Sequence, residues 1–160
     1  MGLVDIREQV KRIMSGVDGI GIVHDYERWA STWEKFLELF KDEDEKINGW
    51  TFSRAQTVQR KESLGAIEKA HILRLRGYCG VRDRDASEIV FQGIIDSLID
   101  RFNESDSEDL DGACLTTYPD WGPMDGAVGL QIDKVEPRKF GSVLCHYAEG
   151  RLCALETVPC

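Results

Sequence analysis

The sequence feature that most constrains the fold is one helical segment with a broad apolar stripe. Asp85 has the character of an N-cap residue, and Glu88 follows it at the spacing of a capping box. The stripe beyond them consists of Val90, Phe91, Ile94, Ile95, Leu98, Ile99 and Phe102. A stripe of that width suits a helix that lies across a sheet, because a helix at the surface buries a narrower face. The sequence therefore predicts a helix from residue 85 to about residue 102 that packs on a β-sheet.

Two extended segments that precede this helix supply part of such a sheet. Residues 47–59 and 70–81 alternate in side-chain character at the period of a β-strand, and the charged residues 60–69 connect them. In the second segment one side consists of Leu73, Leu75, Cys79 and Val81, and the other side carries Arg74 and Arg76. We therefore predict a long hairpin with one side against the core and the other side in water.

The N-terminal part of the chain adds two helices and a short strand. Apolar residues at helical spacing predict a helix over residues 3–15, and glycines interrupt the pattern before a short strand over residues 19–23. A second helical stripe consists of Trp29, Trp33, Phe36, Leu37 and Phe40. Aromatic faces of this size are normally buried, so we predict that this second helix packs its stripe in the core.

The C-terminal part of the chain adds further strands. A short strand is expected over residues 114–118, and the turn-rich loop that follows, residues 119–126, carries Trp121 in an exposed setting. Two longer strands are expected over residues 128–136 and 142–155. Gly150 marks the expected position of a bulge in the second of them.

Together these elements predict a fold of the α+β class. We expect an antiparallel or mixed sheet of four to six strands with helices packed mainly on one face, because strand and helix do not alternate as a parallel sheet requires. The chain has 160 residues, of which 42% are hydrophobic, so it is long enough to bury a sizeable core. Residues 1–160 are therefore expected to form a single domain.

The charge of the chain argues against polyanionic partners. It carries 29 acidic and 20 basic residues, which give a formal net charge of −9. Such a field repels phosphate backbones, so direct nucleic-acid binding is not expected. No apolar run approaches the roughly 20 residues that a membrane-spanning helix needs, so no contact with a membrane is expected either.

Cysteine usage favours a reducing environment. The five cysteines are odd in number, no two of them lie at metal-ligand spacing, and the N-terminus does not read as a signal peptide. The cysteines in the predicted strands are expected to be small buried hydrophobes. We therefore expect the protein to be made in a cytoplasm, with its thiols free.

The candidates for catalysis do not converge in the sequence. His24 precedes Asp25 beside a predicted helix, which favours a structural role because no second ligand pair accompanies it. A zinc site that uses both Cys145 and His146 is disfavoured, since adjacent strand residues point to opposite faces. The sequence also has no nucleophile elbow, phosphate-binding loop or dinucleotide fingerprint. We therefore expect no catalytic residue, metal ligand or cofactor, and no enzymatic activity.

Several short stretches, taken in order, resemble small prophage-encoded tail terminator or neck proteins of tailed bacteriophages. After the N-terminal helix these stretches are HDYERW at 24–29, INGWT at 47–51, RGY at 76–78, DASE at 85–88, VEPR at 135–138 and LCHY at 144–147. The resemblance spans nearly the whole chain, departs from the family layout around residues 119–126 and contains no catalytic motif. It implies a sheet flanked by helices, association into a ring of commonly six subunits, and a role in capping the tail tube or joining it to the head.

A structural protein of the virion is therefore the leading hypothesis. It would be made in the cytoplasm of the bacterial host, form a homo-oligomeric ring, for which the resemblance implies a hexamer, and contact tail tube or head-tail connector proteins. The candidate interface residues are Trp50, Arg54, Arg74, Arg76, Tyr78 and Trp121. The three arginines are expected on the side of their strands opposite Leu73 and Leu75, and acidic runs lie elsewhere on the chain. Contacts between these opposite charges would weaken as salt is raised.

Two alternatives remain open at this point. One is a small-molecule-binding or enzymatic α+β domain with a pocket near His24, Trp29 and Trp33, which a deep pocket with convergent polar groups would favour. The other is an adaptor that binds another protein without forming a ring. The sequence alone does not separate this adaptor from a ring subunit.

Overall fold

The computed structural model describes residues 2–43, 45–105, 113–114, 121, 124 and 126–160. These residues form three helices, α1 Leu3–Ser15, α2 Trp33–Phe40 and α3 Ser87–Ser105. They also form six strands, β1 Ile22–His24, β2 Asn48–Ser63, β3 Ala66–Gly80, β4 Ala113–Cys114, β5 Gln131–Phe140 and β6 Val143–Pro159. The predicted α+β fold class is confirmed.

The strands form one mixed sheet in the spatial order β1, β2, β3, β6. The outer edge of β6 is shared, because β5 pairs with its first part and the two-residue β4 pairs with Leu155 and Glu156 near its end. The pairing of β1 with β2 is parallel and the other pairings are antiparallel. The prediction of an antiparallel or mixed sheet of four to six strands therefore holds.

The predicted hairpin is longer than the sequence pattern indicates. Residues 60–69, expected as a connection, belong to β2 and β3 except for a turn at Leu64 and Gly65. The charged pattern of these residues arises from cross-strand pairing, as in the 3.1 Å ion pair between Arg60 and Glu68. Pairing of β3 with β6, which begins at Ala66 directly after the turn, also holds this part of the hairpin extended.

The main core lies between the sheet and the two longer helices, α1 and α3. Trp50 and Phe52 of β2, together with Leu73 and Leu75 of β3, are fully buried on this side of the sheet. The helices cover them with Ile6, Val10, Ile13, Met14, Phe91, Ile94, Ile95, Leu98 and Phe102. The broad stripe of α3 therefore packs across the sheet, as its width predicts.

The aromatic helix α2 is shorter than predicted and packs on the other side of the sheet. It begins at Trp33, where the side chain of Thr32 caps it by accepting a hydrogen bond from the Lys35 amide at 3.3 Å. The prediction that Trp29 belongs to this helix and its buried stripe is wrong, because Trp29 precedes the cap and is 83% exposed. The rest of the stripe packs against Tyr78 and other residues at one end of the sheet.

The start of α3 also differs from the prediction. Asp85 lies in a short 3-10 turn, Asp83–Asp85, and Ala86 after it has a left-handed φ of 49°. The helix then begins at Ser87, whose hydroxyl accepts a hydrogen bond from the Arg82 amide at 2.8 Å. The side chain that fastens this entry is therefore Ser87 and not Asp85.

The two C-terminal strands, β5 and β6, differ in their bounds from the prediction. The bulge that was predicted at Gly150 of β6 lies in β5 instead. The register of β5 against β6 shifts between Ile132 and Lys134, so Asp133 is the extra residue. A Cβ on Gly150 of β6 would lie 2.8 Å from a backbone oxygen of β5, which explains the glycine there. Of the strand predicted over residues 114–118, the last four positions lie outside the described residues.

Gly77 is expected to be intolerant of a side chain. A Cβ at this position would lie 2.4 Å from the ring of Trp50, which is fully buried and cannot move away. We expect Gly77→Ala to lower the free energy of unfolding by about 1–3 kcal/mol, measured by urea denaturation.

Gly93→Ala is the matched control for this substitution. Gly93 lies exposed within α3, and a Cβ there meets no atom within 4 Å. Alanine in a helix interior is more stable than glycine by roughly 0.5–1 kcal/mol, so this variant should gain stability. Similar effects of the two substitutions would contradict the packing at Gly77.

The thiol of Cys145 predicts sensitivity to alkaline pH. Cys145 is fully buried in the cluster beneath α2, and burial raises the pKa of its thiol from the ordinary 9.0 to about 11. Because the thiol has a higher pKa in the folded chain than in the unfolded chain, its contribution to the free energy of unfolding is complete below the unfolded pKa. This contribution is lost as the pH rises through the folded pKa, since the unfolded chain then releases the proton more readily. We expect the free energy of unfolding to fall by up to about 2 kcal/mol between about pH 9 and pH 11. In denaturation series across this range, Cys145→Ala should reduce the fall, and an unchanged profile would contradict the assignment.

Candidate functional site

The side of the sheet opposite α1 and α3 is here called the open face. α2 covers one end of it, and Trp121 packs on the other end against Ala70, Ile72 and Cys153. Between these ends the described residues leave polar side chains in contact with solvent. They include Arg74, Arg76, Glu136, Arg138, Glu149 and Arg151. Because its polar side chains remain accessible, the open face is a candidate site for contacts with other molecules.

Glu149 lies at the centre of the ion pairs on the open face. Its carboxylate oxygens lie 3.6 Å from Nε of Arg74 and 3.9 Å from Nε of Arg76. Arg76 also donates from Nη1 to Oε1 of Glu27 at 3.0 Å, and its buried Nε has no hydrogen-bond partner. Both arginines project from the side of β3 that faces away from Leu73 and Leu75, as predicted, but their charges are already paired within the chain.

A second group of charges continues the open face along β5 and β6. The Tyr147 hydroxyl donates to Oε2 of Glu149 at 2.6 Å, and the guanidinium of Arg138 lies 3.9 Å from the centre of the Tyr147 ring. Burial, and next the hydrogen bond to Glu149, raise the pKa of Tyr147, so its hydroxyl stays protonated as a donor. Arg151 donates to both carboxylate oxygens of Asp133, at 2.6 and 2.7 Å. The open face is therefore a network of matched charges rather than a basic patch.

Two of the candidate interface residues lie elsewhere, and the structure corrects the expectation for both. Trp50 is fully buried in the main core, with its ring stacked 6.0 Å from Phe91, so it is not available to a partner. Arg54 is exposed, but it pairs directly with Leu73 and therefore shares the side of the sheet that Leu73 occupies. The cross-strand register, which the sequence does not give, decides this position.

The other two aromatic candidates lie at opposite ends of the open face. Tyr78 is half-buried beneath α2, where its ring centre lies 4.7 Å from that of Phe40, and burial raises the pKa of its hydroxyl. Trp121 is partly buried, donates from Nε1 to Glu68 at 3.1 Å and carries the guanidinium of Arg60 at 5.1 Å from its ring centre. The expectation of an exposed Trp121 therefore needs correction, because contacts within the chain hold this ring.

A small pocket of about 170 Å³ opens where α2 meets the open face, and we call it the aromatic pocket. Its walls are the rings of Trp29, Phe36, Phe40, Tyr78 and Phe140. The ion pair of Arg76 with Glu27 and the side chain of Arg28 supply its polar part. Apolar walls with a few charged groups at one side can hold an aliphatic or aromatic side chain and orient it.

The alternative hypothesis places a pocket near His24, Trp29 and Trp33, but these three residues do not line one pocket together. Nε2 of His24 lies 2.7 Å from the carbonyl oxygen of Leu39, and its ring packs edge-on against Phe40. Trp33 stacks on a neighbouring ring of α2. Of the three, only Trp29 lines the aromatic pocket, so His24 and Trp33 have packing roles.

A serine and a histidine that are far apart in the sequence meet at the start of α3. Oγ of Ser87 lies 2.9 Å from Nε2 of His146, beside a cavity of about 290 Å³. The same hydroxyl accepts the Arg82 amide, and Ser87 is only 8% exposed, so the pair fastens the helix to β6. Sequence reasoning missed this contact because 59 positions separate its two residues.

A buried polar pair lies on the core side of the sheet. Nε2 of His71 lies 3.1 Å from Oε1 of Glu156, and Nδ1 lies 2.9 Å from the hydroxyl of Thr57. Within the described part of the chain, no three His, Cys, Asp or Glu side chains are grouped so that they could hold a metal ion. In the same residues, no helix has both the length and the apolar character that crossing a bilayer requires.

Comparison of the chain with protein families and with curated proteins finds no match. The functional interpretation therefore depends on the geometry of the open face and the aromatic pocket. One feature of the sequence indicates the pocket. Trp29 precedes the N-cap Thr32, so it lies outside the helix that carries the other aromatic residues. The charged groups of the pocket, Glu27 in the segment before α2 and Arg76 in β3, are 49 positions apart, so the sequence alone does not bring them together.

Glu149 is expected to stabilise the open face by pairing with two arginines. We expect Glu149→Gln to lower the free energy of unfolding by about 1 kcal/mol or less, because the pairs are partly exposed to solvent. Glu45→Gln is the matched control, since Glu45 is 83% exposed and its pair with Lys41 spans 3.9 Å. Urea denaturation should show a difference between the two variants that shrinks at about 1 M salt. A difference that does not respond to salt would contradict an electrostatic role for Glu149.

Proposed function

We propose that this protein is a structural, self-assembling protein whose subunits meet through the open face and its aromatic pocket. The observation that carries the proposal is the contrast between the two sides of the sheet. α1 and α3 cover one side with a continuous apolar core, whereas the described residues leave the middle of the other side uncovered. Ordered charges beside an aromatic pocket are features of surfaces that recognise another protein.

We further propose that the assembly is a ring of a tailed bacteriophage, in which the protein acts as a tail terminator or neck component. The support is the resemblance in the order of short stretches, together with a sheet flanked by helices, which is the layout that the resemblance implies. The ring, a hexamer as the resemblance implies, would contact tail tube or head-tail connector proteins. The protein would be made in the host cytoplasm and end in the virion.

The alternative of a small-molecule-binding or enzymatic domain has weaker support. The aromatic pocket is smaller than the roughly 300–1,000 Å³ of typical small-molecule sites. Its polar groups are an ion pair that is already satisfied in part by the chain itself. An adaptor that binds a different protein through the same face is the closer competitor.

Native mass spectrometry over a concentration series tests the proposal. We expect oligomers of one fixed stoichiometry to increase with concentration, and electron microscopy at high concentration to show rings. The measurement should be made under reducing conditions, because Cys160 is exposed and its thiol could link two chains in air.

Cys160→Ser is the control variant for this measurement. It should assemble like the natural chain, since the contact proposed involves other residues. A chain that stays monomeric at high concentration and also fails to bind purified tail tubes would overturn the proposal. Binding to a different protein without self-association would favour the adaptor instead.

A further inference from the structure

Three polar side chains on neighbouring strands form a continuous chain of hydrogen bonds on the core side of the sheet. Thr57 of β2 lies directly opposite His71 of β3, and its hydroxyl lies 2.9 Å from Nδ1 of that imidazole. Nε2 of His71 lies 3.1 Å from Oε1 of Glu156 in β6, and the last two residues are each only 4% exposed. Burying a carboxylate costs free energy, and well-packed apolar residues often stabilise such a position equally well. Packing alone therefore does not account for these three residues.

The order of the three groups is that of a catalytic triad. In a triad the imidazole takes a proton from a hydroxyl, and a carboxylate holds the imidazole in the tautomer that can do so. The carboxylate of Glu156 only accepts hydrogen bonds, so the nitrogen of His71 that faces it, Nε2, carries the proton. In the neutral imidazole this leaves Nδ1 as the acceptor for the hydroxyl of Thr57. The chain of hydrogen bonds thus has a nucleophile, a base and a group that orients the base.

Within the described part of the chain, His71 does not share Glu156 with another donor. Lys69 lies directly opposite Glu156 in the pairing of β3 with β6, but the second carboxylate oxygen, Oε2, has no hydrogen-bond partner. The carboxylate is therefore bonded to the imidazole and not to the neighbouring ammonium group. This arrangement leaves its charge available to stabilise the imidazolium that forms when His71 takes up a proton.

The hydroxyl of Thr57 lies at an open edge of the sheet. Thr57 is half-buried, and β1 pairs with β2 only as far as Thr51. Among the described residues no strand covers the edge of β2 beyond that point. Main-chain N–H groups alternate between the two edges of a strand, so one within a residue of Thr57 faces this open edge. Such a donor can stabilise the negative oxygen that forms when a hydroxyl attacks a carbonyl group.

We infer that Thr57 is a nucleophile that accepts the acyl group of a small carboxylic ester, with His71 as its general base. The oxygen of Thr57 bonds to the carbonyl carbon, and its proton passes to Nδ1 of His71. The bond from this carbon to the ester oxygen then breaks, and the departing alkoxide takes the proton from Nδ1. The products are a threonine ester and a free alcohol, so no other reactant is needed. Glu156 is the positioning residue, since it acts through His71.

Acetyl transfer from p-nitrophenyl acetate tests this inference. The reaction is run on the Cys160→Ser chain, because the exposed thiol of Cys160 would itself accept an acetyl group. Tandem mass spectrometry then locates each acetyl group. The internal reference is Ser63, which is exposed on the same strand and whose hydroxyl meets the Gly65 amide instead of an imidazole. General base catalysis contributes about 10²–10⁴-fold, so Thr57 should be acetylated at least about a hundredfold faster than Ser63.

Substitutions assign the roles of the hydroxyl and the base. Thr57→Ser retains a hydroxyl and should still be acetylated at this position, whereas Thr57→Val keeps the shape of the side chain and should lose the acetyl group. His71→Gln should slow acetylation of Thr57 by about a hundredfold. The matched control is His24→Gln, since His24 contacts the carbonyl oxygen of Leu39 and should leave the rate at Thr57 unchanged. Circular dichroism checks that each variant is folded.

The outcomes separate a nucleophile from a hydroxyl that only links strands. Equal acetylation of Thr57 and Ser63 would overturn the inference, because Thr57 would then react as any exposed hydroxyl does. An unmodified Thr57 in a chain whose lysines are acetylated would overturn it as well. A folded His71→Gln variant that acetylates Thr57 at the original rate would remove the base. If that variant does not fold, the ratio of Thr57 to Ser63 in the Cys160→Ser chain decides alone. None of these outcomes bears on self-assembly, which is tested separately.

Discussion

The antiparallel pairing of β3 with β6 is the interaction on which the rest of the structure depends. It is continuous along β3, Ala66–Gly80, and it joins two segments that are far apart in the chain. Since residues directly opposite each other project to the same side, this register places Leu73 beside Leu152 in the core. The next pair, Arg74 and Arg151, faces the other side. One register therefore separates an apolar side, which helices cover, from a charged side.

The register also creates a repulsion that carboxylates on β6 and β5 relieve. Arg74 and Arg151 are directly opposite, and like charges in such positions destabilise a sheet. Glu149 pairs with Arg74, and Asp133 holds Arg151 through two hydrogen bonds. Asp133 is the extra residue of the bulge in β5, which Gly150 permits by leaving room for the backbone. The bulge thus serves the open face as well as the bend of the strand.

Local patterns predicted most of the fold, and long-range pairing decided what they missed. The first helix, the hairpin and the broad stripe of α3 follow from periodicity within a few turns or strands, and each is confirmed. Residues 60–69 were expected as a loop because their charges are matched only across the strands. Arg54 was expected on the side of the sheet opposite Leu73 but lies on the same side, because its position depends on the register with β3. The contact of Ser87 with His146 and the exposure of Trp29 depend on where whole elements lie, which periodicity does not report.

The pairing of charges within the open face changes what kind of contact it can make. Arg74 and Arg76 were expected to attract acidic residues of a neighbour, but each already lies near Glu149. Charges satisfied within one chain add little attraction, and they act mainly by excluding partners that would separate them. Association through this face, as proposed, would then depend on its apolar surface, which the rings of the aromatic pocket supply. Salt screens ion pairs between exposed charges and does not weaken apolar contacts in this way, so the proposed self-association through the aromatic pocket would persist at ionic strengths that weaken an interface of ion pairs.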